Sequence, residues 1–537
     1  MRQTPTRAKA LSELDKNFDL VVIGGGVNGL AVAWQAALSG VRTLILDKGD
    51  WGSGTSSWSS RMIHGGLKYL ERLDILLVRE SLRDREWLLR NAPHLVKPLP
   101  FFLPFYKGDG HSKLKLRAGM ILYDVLSFDK SVPNHGIFSR TQTLTEIPGL
   151  RSDGLKGSAR YFDAQVEYSE RLCIELMLAA RDAGAVCINY LKAENVCVEN
   201  SEVTGVLVED VLTEKRYQVH TGTVVNLSGP WVDQVLKGTS AARTRYIGGT
   251  KGTHIVVDTF PGAPKESLYY ESDDHRPMMV IPWLGRYLLG STDVRFSGDL
   301  DDARASQEDL EYILYETNKI FPNADLTTAN ILYSYTGVRP LPAIDAENTA
   351  DISRRHTIVN HGPENEGLYS VTGGKLTTFR ALSKHVLKKL EKRLGMSVES
   401  LDNRKLPGTT SGALTASTYL TRLEKIYGAR ASQVESFIKS EKKWERILDP
   451  SSGLTLGEVL FSLYQEEAQT ATDIICRRIM LGFEDDLGER VFDQILEIMS
   501  VELDWNHTRI EAEKDAFNFY KERSTTIIED YGLPTRD

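Results

Sequence analysis

Asp19-Leu-Val-Val-Ile23, Gly24-Gly-Gly26-Val-Asn28-Gly29, Leu30 to Leu38, and Arg42-Thr-Leu-Ile-Leu46-Asp47 form one continuous stretch, and its reading decides the fold. Asp19 to Ile23 is a β-rich run ending at a glycine, as a buried parallel strand should. The GxGxxG run Gly24–Gly29 then opens a helix whose Ala31, Ala33, Ala36 and Ala37 suit close packing on a sheet. Gly24 permits the tight turn, Gly26 lets backbone approach a pyrophosphate, Asn28 lies within the loop, and Gly29 allows helix and strand to touch. The helix N-terminus offers free N–H groups and a positive dipole end to phosphate. Asp47, closing the second strand, is placed to accept from ribose hydroxyls. No charge occurs between Asp19 and Arg42, a run long enough to span a bilayer, but three consecutive glycines with Asn28, Gln35 and Ser39 favour strand, turn and helix.

Composition is consistent with a folded protein of several domains. The chain has 537 residues, 41% hydrophobic and 26% charged, enough for two or three domains without staples. A net charge of −8 argues against a nucleic-acid binder. Cys173, Cys187, Cys197 and Cys476 fit neither metal-ligand spacing nor a disulfide framework, so a reducing, cytoplasmic setting and no metal are expected. The first 18 residues have basic groups but no apolar core behind them, so no signal peptide is expected.

After Asp47 comes a small polar loop, Gly52 to Ser60, with Ser56 and Ser57 at its centre, able to pass close to a flat ring system. Arg61-Met-Ile-His64-Gly65-Gly66-Leu-Lys68-Tyr69-Leu70 follows, then a charged amphipathic helix stopped near Pro93. Further along stand KGTHIVV (251–257), GSTDV (290–294), YTGVRPL (335–341) and TGGKLTTFR (372–380). On these motifs, in this order, the chain resembles the FAD-dependent glycerol-3-phosphate dehydrogenases.

The resemblance implies an α/β fold: a doubly wound FAD-binding domain, a β-rich substrate cap and an all-α C-terminal domain. The boundaries expected are 1–95 with 156–240 and 345–395 for the FAD domain, 96–155 with 241–344 for the cap, and 400–537 for the helices. FAD is expected to be noncovalent, since no cysteine lies in the flavin-lining motifs, with a histidyl link through His64 as the alternative. Gly65, Gly66, Gly373, Gly374 and Thr377 join the loop residues as cofactor neighbours.

Glycerol 3-phosphate is small and nearly dianionic, with a second phosphate pKa near ~6. Holding it needs several fixed cations. Arg339, Arg354 and Lys375 are implied by the resemblance, with Arg355 competing for Arg354's place, and Lys68 and Tyr69 border the substrate. Lys375 reads as the start of a helix facing the flavin. Relatives carry arginine at the Lys68 position and lysine at the Arg61 position. A base near neutrality would take the C2 hydroxyl proton; His254 is favoured over His64, which is placed close to the flavin.

The dehydrogenases pass electrons to a membrane quinone, whereas related oxidases use oxygen and carry an insertion for which this chain has no room. Pro98 to Tyr123, apolar and basic together, reads as a surface dipping into an anionic leaflet on the cytoplasmic face of the inner membrane. The rival readings are the oxygen-reducing oxidase, a non-catalytic flavin-binding sensor and an amino-acid oxidase. Gly395 to Ser417 reads as a linker. The helices beyond it, including Glu466 to Gly482, read as structural or dimer-forming.

Overall fold

The computed structural model describes residues 2–71, 74–108, 113–344, 354–410 and 421–527. A six-stranded sheet runs in the order Thr357–Asn360, Leu368–Thr372, Val224–Asn226, Leu20–Ile23, Thr43–Leu46, Val186–Ile188. All pairs are parallel except the edge pair Thr357–Asn360 with Leu368–Thr372. Leu20–Ile23 is buried along its length, which is why it reads as an unbroken apolar run rather than an alternating one. Helix Val27–Leu38 packs between helices Ser169–Asp182 and Phe379–Leu394, its small Ala31, Ala33 and Ala36 fully buried.

A second sheet of ten strands forms the cap. Val96–Tyr106 lies inside it, between Ser267–Glu271 and Leu155–Val166. This corrects the membrane reading of Pro98–Tyr106: Phe101, Phe102, Phe105 and Tyr106 are buried core of the cap, because a strand with partners on both edges and a covered face needs apolar residues. It also moves the boundary expected at 156. Leu155–Val166 pairs along its length with Val96–Tyr106 and therefore belongs to the cap sheet, as does Met62–Ile63. Chain packed on the six-stranded sheet resumes only at helix Ser169–Asp182, against helix Val27–Leu38.

The stretch 396–410 is not a free linker, since Leu401 and Leu406 are buried in the core that packs on the six-stranded sheet. Residues 411–417 of the expected linker lie outside the described residues. Beyond it come helices Arg422–Tyr427, Ala431–Lys439, Leu456–Tyr464, Glu489–Glu502 and His507–Thr525, with a π-helical turn at Ile474–Arg478. Their core is continuous with that of the cap through Trp283, Tyr333 and Tyr335. No described helix is long and apolar enough to cross a membrane.

Candidate active site and cofactor cleft

The glycine loop is built by steric necessity. Gly24 has φ +115°, and a Cβ there would sit 2.5 Å from the Leu227 carbonyl oxygen. A Cβ on Gly29 would lie 1.9 Å from the carbonyl oxygen of Gly24, so helix and strand approach as closely as glycine alone permits. Gly26 caps helix Val27–Leu38 without a side chain of its own to occupy the first N–H groups, which leaves those beyond Val27 as donors for a ligand. Asp47 receives Gly25 N–H at 2.6 Å and Gly49 N–H at 2.8 Å, while burial pushes its carboxyl up to about 6. Its oxygens thus already pin the loop and keep further lone pairs for a ribose.

From this loop a cleft of about 770 Å³ extends past Gly24, Gly26, Asn28, Asp47 and Ser56 to Gly374 and Lys375, a size that suits a dinucleotide. Ser56 Oγ accepts from Val27 N–H at 3.1 Å at the helix start. Ser57 is a correction: its hydroxyl donates to the Gly52 carbonyl at 2.6 Å, inside the loop and away from the cleft. Asn28 Oδ1 and Trp231 Nε1 are buried without a hydrogen-bond partner among the described residues, and both residues line the cleft. Unpaired buried polar atoms are costly, so these are groups a bound molecule would satisfy. Trp231 was missed as a site residue; the only signal for it was the glycine turn that ends strand Val224–Asn226.

His64, Gly65, Gly66, Gly373 and Thr377 do not line this cleft but organise its neighbourhood. His64 N–H donates to Thr377 Oγ1 at 3.1 Å and joins the two motifs. Gly65 N–H is spent on Tyr123 Oη and Asp163 Oδ1, so it is not available as a donor to a flavin. Gly66, with φ +79°, leaves room that a Cβ would take from the Tyr69 ring. Gly373 and Gly374 both have positive φ, and the chain stays irregular until helix Phe379–Leu394 begins. The helix expected at Lys375 therefore starts four residues later, and Lys375 sits on a loop that two left-handed glycines turn inward.

Lys375 Nζ lies 3.8 Å from the centre of the Tyr69 ring and has no hydrogen-bond partner among the described residues. Burial, with Arg354 nearby, lowers its pKa to about 7. Arg339, at the end of strand Ile331–Arg339, donates to Lys251 O at 3.2 Å, Asp293 Oδ1 at 3.0 Å, Ser291 Oγ at 3.1 Å and Thr292 O at 3.0 Å. Arg354 Nη2 reaches Asp293 Oδ2 at 3.4 Å. Burial pushes the Asp293 carboxyl up, but Arg339 and Arg354 outweigh it and hold it below the usual range. Asp293 thus bridges two of the expected cations. Nothing within GSTDV marks this role, because the two arginines lie 46 and 61 residues further along the chain. Arg355 lies in a separate cleft with Glu80, Arg380 and His385, so Arg354 is the arginine on the Asp293 side. The side chain of Lys68 lies outside the described residues.

Of the two histidines, His254 is buried on strand Thr250–Val257, stacked on Tyr335 at 5.1 Å, with Nε2 2.8 Å from Ser60 Oγ. Its Nδ1 is buried without a partner. Burial, then Arg339 and Arg61, lower its pKa to about 3; burial and Lys375 lower that of His64 to about 4. Neither titrates near neutrality, contrary to the expectation for a base, and burial keeps both rings neutral. Arg61 is no anion contact. It pairs through both nitrogens with Glu170 and stacks on Trp283 and Phe483, a buried joint between domains.

The C-terminal helices reach the cleft, which their structural reading did not anticipate: Arg477, Phe519, Tyr520 and Arg523 are among its lining residues. Arg477 and Arg478 bind Asp50, three residues after Asp47, at 2.6 to 2.9 Å. The cofactor loop is thereby clamped from a sequence distance of more than 400 residues.

Comparison with known proteins agrees with this geometry. Residues 19–380 match the family described as FAD dependent oxidoreductase, and residues 373–510 match the C-terminal domain of alpha-glycerophosphate oxidase. A glycerol-3-phosphate dehydrogenase of a Synechocystis species is 39% identical over 96% of this chain and 98% of its own. An aerobic glycerol-3-phosphate dehydrogenase of Bacillus subtilis is 29% identical, with 98% of each chain covered. Among solved structures, the glycerol-3-phosphate dehydrogenase of Bacillus halodurans complexed with FAD superposes with a TM-score of 0.80 at 26% identity, over 99% of this chain and all of that one.

Proposed function

This chain belongs to the FAD-dependent oxidoreductase family, and from that premise we propose that it oxidises sn-glycerol 3-phosphate at C2 to dihydroxyacetone phosphate and passes the electrons to a membrane quinone. The observation that carries this reading is the buried, unpartnered ammonium of Lys375 beside Tyr69 and Arg354, at the end of the cofactor cleft. A desolvated cation with no partner is costly and is offset by an anion. A phosphate arriving there raises the Lys375 pKa and fixes its charge.

Bound FAD supplies the hydride acceptor, N5. The chain's own groups do the rest. Arg339, Arg354 and Lys375 hold the phosphate and hydroxyls, with Lys68 and Tyr69 at the border and Asp293 fixing the two arginines. His254 accepts the C2 hydroxyl proton, its ring held by Ser60 and Tyr335; His64, joined to the Lys375 loop through Thr377, stands closer to the flavin. FAD is held noncovalently by Gly24, Gly26, Asn28, Gly29, Asp47 and Ser56.

Quinone is favoured over oxygen by the relatives of matching length, which carry the name dehydrogenase. Membrane contact rests on helix Lys113–Leu126 and its surroundings: Leu76 and Phe128 are 73% and 78% exposed, Ile121 and Val125 also face outward, and Arg79 lies over the Phe128 ring. Large exposed apolar side chains set among arginines suit an anionic interface.

The test is anaerobic bleaching of the protein-bound flavin by glycerol 3-phosphate against a panel of hydroxy-phosphates and amino acids. Bleaching by glycerol 3-phosphate alone is expected; an amino acid that bleaches in its place overturns the substrate. Peroxide formed one-for-one with substrate in air, with no gain from added quinone, would overturn the acceptor.

A further inference from the structure

Arg523 sits in the last turn of helix His507–Thr525, beyond residue 510, where the match to the C-terminal family ends. That helix is firmly seated. Phe517 stacks on Phe492 at 4.1 Å, Tyr520 Oη donates to the Gly482 carbonyl at 3.0 Å, and Glu513 accepts from Ala471 N–H at 3.0 Å. Tyr520 also packs on Trp58 of the loop between the glycine motif and His64, with ring centres 6.1 Å apart. The guanidinium of Arg523 is thereby delivered over the Trp58 ring at 5.3 Å, among the residues that line the cofactor cleft.

Its own partners are too few. Among the described residues, one long hydrogen bond runs from Nη2 to the Ala303 carbonyl at 3.4 Å, and Nε is buried with no partner. Among the described residues it forms no ion pair. The nearby acids have other cations: Asp301 pairs with Lys48 at 2.6 Å, Asp302 with Arg304 at 2.6 Å. Burial lowers the pKa of Arg523 in spite of those acids, so the charge is under-compensated where it stands. A guanidinium carries five donors in a fork that matches phosphate oxygens. The cleft it lines is the one whose glycine loop and glycine-capped helix start are made for a pyrophosphate.

We propose that Arg523 is a cofactor-binding residue that donates to the FAD pyrophosphate, so that the C-terminal helix completes the cofactor site. The helix N-terminus supplies backbone donors from one side of the anion and Arg523 a full positive charge from the other. The proposal rests on FAD being the cofactor and is independent of the substrate and of the electron acceptor.

The test removes FAD from the holoprotein and titrates it back into wild type, Arg523→Gln and Arg523→Lys, following the quenching of flavin fluorescence. Arg523→Gln should raise the Kd for FAD roughly 10- to 100-fold, the range expected for a lost charge-assisted hydrogen bond, and Arg523→Lys should recover part of it. ADP, which carries the adenosine and pyrophosphate without the flavin, should weaken as a competitor by a similar factor. The melting temperature of the apoprotein should be the same in all three. The idea is overturned if FAD affinity stays within twofold of wild type, if ADP competes equally well in wild type and Arg523→Gln, or if the apoprotein of Arg523→Gln loses as much thermal stability as the holoprotein. This last result would make Arg523 a packing residue. Arg304→Gln, on a neighbouring arginine that pairs with Asp302, serves as a control and should leave FAD affinity unchanged.

Discussion

The glycine loop and the C-terminal helices both border the same cleft, yet they are built on opposite principles. Gly24 to Asp47 works through its backbone: glycines remove Cβ atoms where atoms would overlap, and a short run of chain places strand, turn, helix and acid in order. The C-terminal domain works through buried charge. Asp50 is gripped by Arg477 and Arg478, while Glu466 takes Arg171 and Arg430, all four arginines and both acids buried. The first arrangement is local and steric; the second joins parts of the chain that only folding brings together.

If the contrast holds, damage to the two regions should differ in kind. The largest effect belongs to the steric side. Gly29→Val should abolish FAD retention, since no side chain fits 1.9 Å from the Gly24 carbonyl oxygen; purified protein that still holds flavin stoichiometrically would break the argument. On the electrostatic side, Asp50→Asn leaves Arg478 buried without its anion, while Arg477 keeps only Asp473. A loss of about 3–5 kcal/mol is expected from such a broken pair, to be read from denaturant unfolding of the holoprotein, and a loss below 1 kcal/mol would speak against the clamp.

The buried acids also set an acid limit. Burial pushes Glu466 up, but Arg171 and Arg430 outweigh it and bring its pKa down to about 2. A depressed carboxylate contributes stability that is complete above its unfolded value near ~4.3 and is lost as pH falls toward the folded value. Stability should therefore fall steeply between about pH 4 and pH 2, and the fall should be shallower in Glu466→Gln. If the two slopes match, Glu466 is not coupled to the fold in this way.

Between the two regions lies the cation cluster, and its effects should be catalytic. Lys375→Met should lower kcat/KM about 10- to 100-fold, the size expected for a lost charged contact, with little change in melting temperature. Because its pKa is lowered to about 7, the free enzyme should lose kcat/KM as pH rises through that value and the ammonium deprotonates. A descending limb that survives in Lys375→Met would assign it to another group. The smallest expected effect is at the surface: Phe128→Ser should shift stability by less than about 0.5 kcal/mol while reducing sedimentation with anionic vesicles, and unchanged sedimentation would remove that crest from the membrane surface.

Much of the site was legible because the chain writes it in short words. The glycine loop, the HGG turn and the GGK turn each need glycine for a local reason, so Gly24, Gly29, Gly66 and Gly374 could be found without coordinates. Other features were not legible. The apolar run at Pro98–Tyr106 suits a membrane surface and an interior strand equally well; strand pairing on both edges decided for the interior. Ser57 and Ser56 are neighbours of one type, and only the path of the loop turns one toward Gly52 and the other toward the helix start. Arg61 stands between a serine-rich loop and a histidine, and nothing in those neighbours points to its partner Glu170, 109 residues away.

What the sequence determined by itself is whatever depends on spacing within one element: the strand–glycine–helix unit, the acid that closes it, and the family to which those motifs belong. Tertiary structure alone decided which charges face one another. That choice sets Asp293 between Arg339 and Arg354, leaves Lys375 without a hydrogen-bond partner among the described residues, and carries Arg523 from the far end of the chain to the cleft. The physical reason is range. A Cβ clash acts over a few bonds and is spelled out in adjacent letters, whereas a buried charge takes its partner from any segment that the core brings within hydrogen-bonding distance.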